Sequence, residues 1–244
     1  MTDILTISDV SVNFDGFIAI DCLSMCLSPN ELRVVIGPNG SGKTTLLDML
    51  CGKTVPTSGS ILFNGHELTD MEDYQISRVG VGRKFQSPSI YQNLTVSENL
   101  GLSSSADRGV WGTLFRPNSR DVNLQIEAVA EQIFLKEQLQ KKAGILSHGQ
   151  KQWLEIGKLI MQDSELMLLD EPVAGMSPKE CELTAALLKE ISLGRTLIVV
   201  EHDMDFVNLI SQTVTVLDQG RILIEGTLDS VRKNRQVIEV YLGE

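Results

Sequence analysis

An α/β fold built on a mainly parallel sheet is the class this sequence predicts, and three observations predict it. Short apolar-rich runs recur at residues 32–36, 166–170, 196–200 and 213–217, the pattern of strands buried on both faces. Residues 178–191, between two of these runs, place Leu183, Ala186, Leu187 and Ile191 at helical spacing and leave Lys189 and Glu190 for a polar face. A glycine-rich turn at residues 37–42 joins the first run to a second helical stretch. Strand, helix, strand in alternation is the rhythm of a parallel sheet covered by helices.

The elements follow in chain order. Residues 4–14 alternate loosely and read as a strand, Asp15-Gly16 as a turn, and residues 18–27 as a second strand. Pro29-Asn30 turns the chain into the strand at 32–36, and a helix follows over about 44–51, ended by Gly52 and Pro56. Residues 61–63 form a short strand before Asn64-Gly65, a strong hairpin signal, and another strand spans 79–83. From residue 87 to 161 strand patterns give way to helices at 97–103, 122–139 and 147–161, the second carrying Val122, Ile126, Val129 and Ile133 on one face. Residues 103–120 combine turn formers with isolated aromatics and read as an inserted surface loop. After the three later strands, Gln219-Gly220 turns a final hairpin, and a helix at 228–234 precedes a tail at 237–244. The expected organisation is a core of residues 1–86 and 162–244 with a helical subdomain of residues 87–161.

Composition narrows the class of activity. The 244 residues carry a net charge of −11 and no block of Lys or Arg, so a nucleic-acid grip lacks its electrostatic footprint. The four cysteines form no C-x-x-C pair and no metal-ligand spacing with the three histidines, and read as buried, small and reduced residues suited to the cytosol. No basic and apolar leader is visible at the N-terminus. The longest apolar runs fall far short of the roughly 18 residues that span a bilayer, so work at a membrane needs another chain to do the spanning.

The chemistry is concentrated at a few positions. Gly37-Pro38-Asn39-Gly40-Ser41-Gly42-Lys43-Thr44 fits the phosphate-loop spacing G-x-x-x-x-G-K-[ST]. Its glycines let backbone N–H groups converge on phosphate oxygens, Lys43 reaches the outer phosphates, and the Thr44 hydroxyl suits Mg²⁺. The following helix, with Thr45 in its first turn, adds its positive end to the same site. A nucleoside triphosphate is the implied ligand. Leu166–Asp170 is an apolar strand ending in Asp170 and Glu171, where a parallel sheet places its ligands. Asp170 can hold the metal through water, and Glu171 can polarise an attacking water. Phe14 is the aromatic expected near the adenine ring, with an ordinary strand-face aromatic as the other reading. Leu146-Ser147-His148-Gly149-Gln150 opens a helix with Ser147 as its N-cap, a start able to receive a phosphate or simply a capped end.

Together these motifs resemble the ATP-binding subunit of ABC transporters over nearly the whole chain. The resemblance implies a P-loop NTPase fold with a RecA-like core, an antiparallel β subdomain and an inserted α-helical subdomain. It identifies Gln86 as the glutamine that touches Mg²⁺ and senses the membrane subunit. It makes Ser147, His148, Gly149 and Gln150 the signature that meets ATP held by a second subunit. Asp170 and Glu171 become the Mg²⁺ carboxylate and the catalytic glutamate, and His202 the switch histidine at the γ-phosphate. The implied partners are a second ATPase subunit (a copy or a relative), two transmembrane permeases and, indirectly, a periplasmic or extracellular solute-binding protein. The implied location is the cytoplasmic face of the inner membrane.

Two departures stand out. His148 occupies the first signature glycine, and the loop after Glu171 runs Ala174-Gly175-Met176-Ser177 without the family's aspartate. Two expectations follow from the missing aspartate: Ser177 takes over the hydrogen bond across the dimer, or communication between the two sites differs. Residues 103–120, 171–176 and 238–244 look like the uptake systems for branched-chain amino acids and urea. Residues 146–157, LSHGQKQWLEIG, are similar to the urea type in particular. The expected function is ATP-driven uptake of urea, with branched-chain amino acids, or an export or lipid-handling role, as alternatives.

Overall fold

The computed structural model describes residues 3–84, 89–104 and 119–242. Gln86 and most of the loop expected at 103–120 lie outside the described residues. Two compact units emerge. One comprises the chain up to Arg83, Glu165–Glu171 and the chain from Leu188; the other comprises Lys84–Ser164 and Pro172–Leu187.

The strands are β1 (Leu5–Phe14), β2 (Phe17–Leu27), β3 (Leu32–Ile36), β4 (Ser58–Phe63), β5 (His66–Glu67), β6 (Val81–Lys84), β7 (Leu166–Asp170), β8 (Thr196–Val200), β9 (Thr213–Asp218) and β10 (Arg221–Gly226). The helices are α1 (Lys43–Leu50), α2 (Asp73–Arg78), α3 (Val96–Leu102), α4 (Ser119–Gln132), α5 (His148–Met161), α6 (Pro178–Ser192), α7 (Met204–Ile210), α8 (Leu228–Lys233) and α9 (Arg235–Leu242).

In the first unit β2, β1, β4 and β5 form an antiparallel sheet in that order. Asn64 and Gly65 both take positive φ, 48° and 77°, the pair of left-handed residues that matches a two-residue turn to the twist of its strands. The second sheet runs β10-β9-β3-β8-β7-β6. β3 pairs in parallel with β8 and β9, β7 pairs in parallel with β8, and β10 returns antiparallel to β9. Every residue of β3, β7 and β8 is buried, which is why these strands read as continuous apolar runs. Leu46, Leu47 and Leu50 of α1 join Val12, Leu23 and Leu168 in one apolar cluster between the two sheets. The register sets Val35 and Asp170 on either side of Val200, so three strand ends open on one edge.

The structure corrects several boundaries, and it leaves Cys22 and Cys26 of β2 exposed and Cys51 and Cys181 half-buried where buried cysteines are expected. The helix expected over 122–139 stops at Gln132, because Phe134 turns to φ 61° and Leu135 N–H bonds Ala130 O at 2.7 Å, closing the last turn. Residues 136–138 then make a separate 3₁₀ turn. The expected tail at 237–244 is helical through Leu242, capped by Asn234, whose Oδ1 accepts from Gln236 N at 2.8 Å. Helices α2 and α7 were absent from the sequence reading. Asp203 caps α7 by accepting from Asp205 N and Phe206 N, and Phe206, Val207 and Ile210 are its buried face. That cap and spacing were visible in the sequence, but the helix is only two turns long.

The second unit packs α3, α4 and α5. Ile126 and Val129 of α4, and Ile133 just past its end, are buried, as their spacing predicted. A Cβ on Gly157 would stand 2.5 Å from Ile133 Cδ1 and 3.1 Å from Leu100 Cδ2, so the missing side chain lets the helices approach. Trp153 meets Phe134 edge-on at 5.1 Å and donates from Nε1 to Thr184 Oγ1 at 2.9 Å. Trp153→Ala is expected to destabilise the chain by about 3–5 kcal/mol in denaturant melts, since both the packing and the hydrogen bond go. A loss below about 1 kcal/mol would contradict this packing.

Candidate functional site

The first unit assembles most of the predicted site at the open edge of its parallel strands. β3 ends at Ile36, and the chain turns through 37–42 into α1. Two glycines are required by space. A Cβ on Gly37 would lie 2.2 Å from Leu217 O, and one on Gly42, at φ 101°, would lie 2.7 Å from Ala19 O. Pro38, Asn39 and Gly40 form the outer rim of the turn, with Ser41 N–H bonding Pro38 O at 3.2 Å. Lys43 bends back to donate from Nζ to Gly37 O at 2.7 Å and Pro38 O at 2.9 Å.

This loop fits a phosphate on three counts. The Ser41 hydroxyl is buried and has no hydrogen-bond partner among the described residues. Helix α1 begins at Gly42 without a side-chain cap and without an acidic residue in its first turn, which leaves its N–H groups and positive dipole end to an anion. Burial lowers the Lys43 pKa, while the charges of Glu171 and Asp170 act to raise it. An incoming phosphate would favour the ammonium further. Thr44 is exposed and Thr45 half-buried in the first turn of the helix.

Asp170 ends β7 and is buried. Beside it stands Arg83, which ion-pairs with Asp48 of α1 and approaches Asp170 Oδ2 with Nη2 at 3.5 Å. Sequence reasoning missed Arg83 because nothing in the chain order marks it as buried. Arg83→Met is expected to destabilise the protein by about 3–5 kcal/mol, because the buried Asp170 and the half-buried Asp48 lose their counter-charge. Thermal melting would show it, and an unchanged midpoint would count against the pairing. Thr44 and Asp170 both offer oxygen, the donor type a magnesium ion prefers.

Glu171 has φ 44°, a left-handed conformation that costs a non-glycine residue energy and clusters at functional positions. Its N–H is tied to Val200 O at 3.0 Å, which holds the strained turn. His202 lies on the neighbouring strand end, with Nδ1 3.1 Å from Glu171 Oε1. The buried Glu201, which the sequence reading passed over, accepts from His202 N at 3.1 Å. Lys43, Asp170, Glu171 and His202, scattered through the chain, therefore meet around one loop. Phe14 stands at the end of β1, paired with Phe17 and half exposed.

The second unit holds the other predicted group. Ser147 caps α5, its Oγ accepting from Gln150 N at 3.2 Å while Gln150 Oε1 accepts from Ser147 N at 3.0 Å. The Ser147 hydroxyl keeps its own hydrogen to donate. Helix α5 has no acidic residue in its first turn. Gly149 is buried, and a Cβ there would strike Glu180 Oε1 at 2.5 Å. Glu180 itself is fixed by Ser177, whose N–H and hydroxyl donate to Oε2 at 2.8 and 2.7 Å, and these bonds lower its pKa. Ser177 therefore caps α6. The His148 ring turns toward Ala174 of the same chain, with Nε2 2.9 Å from Ala174 O.

Comparison with known proteins follows this geometry. The family model described as ABC transporter matches residues 20–174. The high-affinity branched-chain amino acid transport ATP-binding protein BraF of Pseudomonas aeruginosa is 34% identical, covering 99% of this chain and 98% of its own. LivG of Escherichia coli, a protein of the same description, is 35% identical with the same coverage. A nucleotide-free ATP-binding cassette from an ABC transporter superposes with a TM-score of 0.86 at 27% identity, over the whole of both chains. A cassette in its ADP conformation gives a TM-score of 0.86 at 28% identity.

Proposed function

We infer the function of this chain from the family it belongs to, the ATP-binding subunits of ABC transporters. It is an ATPase, and we propose that it energises solute uptake of the branched-chain amino acid type. The observation that carries this reading is the convergence of Lys43, Asp170, Glu171 and His202 around the phosphate loop.

In this reading the loop residues 37–42 and Lys43 hold the phosphates of ATP, and Phe14 lies by the base. Thr44, Asp170 and Gln86 would hold a magnesium ion, which when bound neutralises charge on the phosphates. Glu171 accepts the proton of the attacking water, and His202, bonded to it, faces the γ-phosphate. Ser147, His148, Gly149 and Gln150 present the N-terminus of α5 to ATP held by a second ATPase subunit. Hydrolysis removes the charge that bridges the two, and two permease subunits take up the motion. A solute-binding protein delivers the cargo outside. Among the described residues no helix is long and apolar enough to cross a membrane, in keeping with a peripheral place on the cytoplasmic face.

A second reading concerns the solute. Residues 146–157, LSHGQKQWLEIG, favour urea by resemblance. The names of the relatives favour branched-chain amino acids, and that is the first reading.

Magnesium-dependent phosphate release from ATP by the full chain tests the activity. Sustained turnover that disappears in Glu171→Gln is the expected result. Turnover unaffected by that change would move the chemistry elsewhere.

A further inference from the structure

The two places where this sequence departs from its family pattern, His148 and the loop after Glu171, touch each other. Ala174 O can only accept, so its 2.9 Å contact assigns the proton of the His148 ring to Nε2. That assignment fixes a second group. Gln152 lies one turn along α5, buried, with its amide nitrogen placed 3.1 Å from the same Nε2. Two donors cannot share that contact. With the amide turned over, Oε1 takes the place of the nitrogen and accepts from the ring, while the amide nitrogen moves to the position that has no partner among the described residues. The His148 N–H is then shared between Ala174 O and Gln152 Oε1.

The loop is shaped to receive the ring. Gly175 has φ 71°, and a Cβ on it would stand 3.3 Å from His148 Cδ2. Both the backbone conformation and the imidazole therefore ask for glycine. A second tie lies two residues on. Thr184 Oγ1 accepts from Trp153 of α5, donates to Glu180 O at 2.8 Å and lies in contact with Met176 Sδ at 3.3 Å, so the loop also packs against a residue bonded to the signature helix.

The geometry points to His148 as a positioning residue that holds the Pro172–Ser177 loop against the start of α5. This rests on the ATPase reading above. The loop begins at the residue after Glu171, and a displacement of about 1 Å in a catalytic group costs on the order of a hundredfold in rate. His148 thereby supplies from the signature helix a hold on the loop in a chain whose loop has no aspartate.

The test measures phosphate release and fluorescent-ATP binding on the full chain carrying His148→Ala, His148→Gln or Gly175→Ala, with Lys43→Ala as control. His148→Ala is expected to lower kcat by on the order of tenfold with KM for ATP within about twofold of wild type. His148→Gln, whose amide nitrogen reaches the same carbonyl, should restore kcat to within about twofold. Gly175→Ala should lower kcat in the His148 background more than in the His148→Ala background, since the ring it meets is then gone. Wild-type kcat in His148→Ala would overturn the proposal. So would a raised KM at unchanged kcat, which makes the ring a nucleotide contact, or a His148→Gln variant no better than His148→Ala. If Lys43→Ala turns over like wild type, the ATPase site itself is misplaced, and that outcome is read independently of His148.

Discussion

Replacing Glu171 with Gln is expected to slow phosphate release by about a hundred- to ten-thousandfold while ATP binding stays near wild type. Glutamine keeps the size of the side chain and a polar atom for His202 Nδ1, 3.1 Å away in the parent, but it cannot take a proton from water. The strained backbone at φ 44° and its bond to Val200 O are untouched, so the fold should survive. Bound ATP would then persist. Light scattering should show a stable ATP-dependent pair of ATPase subunits where the parent shows a transient one. Full turnover in Glu171→Gln would remove this residue from the role of base.

Lys43→Ala should weaken ATP binding by about 2–5 kcal/mol, on the order of thirtyfold or more in affinity. The ammonium is the loop's own cation, and it donates to Gly37 O and Pro38 O. Those two carbonyls are left unpaired by the substitution, and water can replace the ammonium there because Lys43 is only half-buried. Stability should therefore change far less than affinity, and calorimetric titration alongside a thermal melt separates the two. An affinity unchanged in Lys43→Ala would contradict the placement of the phosphates.

Much of this site was legible before any coordinates. The spacing of Gly37, Gly42, Lys43 and Thr44 specifies a loop because the backbone must turn and approach Leu217 and Ala19 closely, and no other residue fits at those glycines. β3, β7 and β8 were legible because burial on both faces leaves an unbroken apolar run. Arg83 and Glu201 were not, since a charged residue in a strand or just past its end is read as exposed unless its partners are known. Asp48, the ion-pair partner of Arg83, lies far away in sequence. The contact of His148 with Gly175 was hidden in the same way: both departures were noticed one by one, and their meeting needed the fold. Phe134, which ends α4 through a left-handed turn, misled the helix boundary because apolar spacing continued past it.

Radiolabelled uptake of leucine and of urea in source cells carrying Lys43→Ala tests most directly that this ATPase powers solute entry. Loss of leucine accumulation with urea unaffected is the result expected from the branched-chain amino acid reading. Loss of urea accumulation alone would transfer the solute to the second reading and keep the energising role. Undiminished uptake of both would contradict the proposal that hydrolysis at this site drives either solute inward.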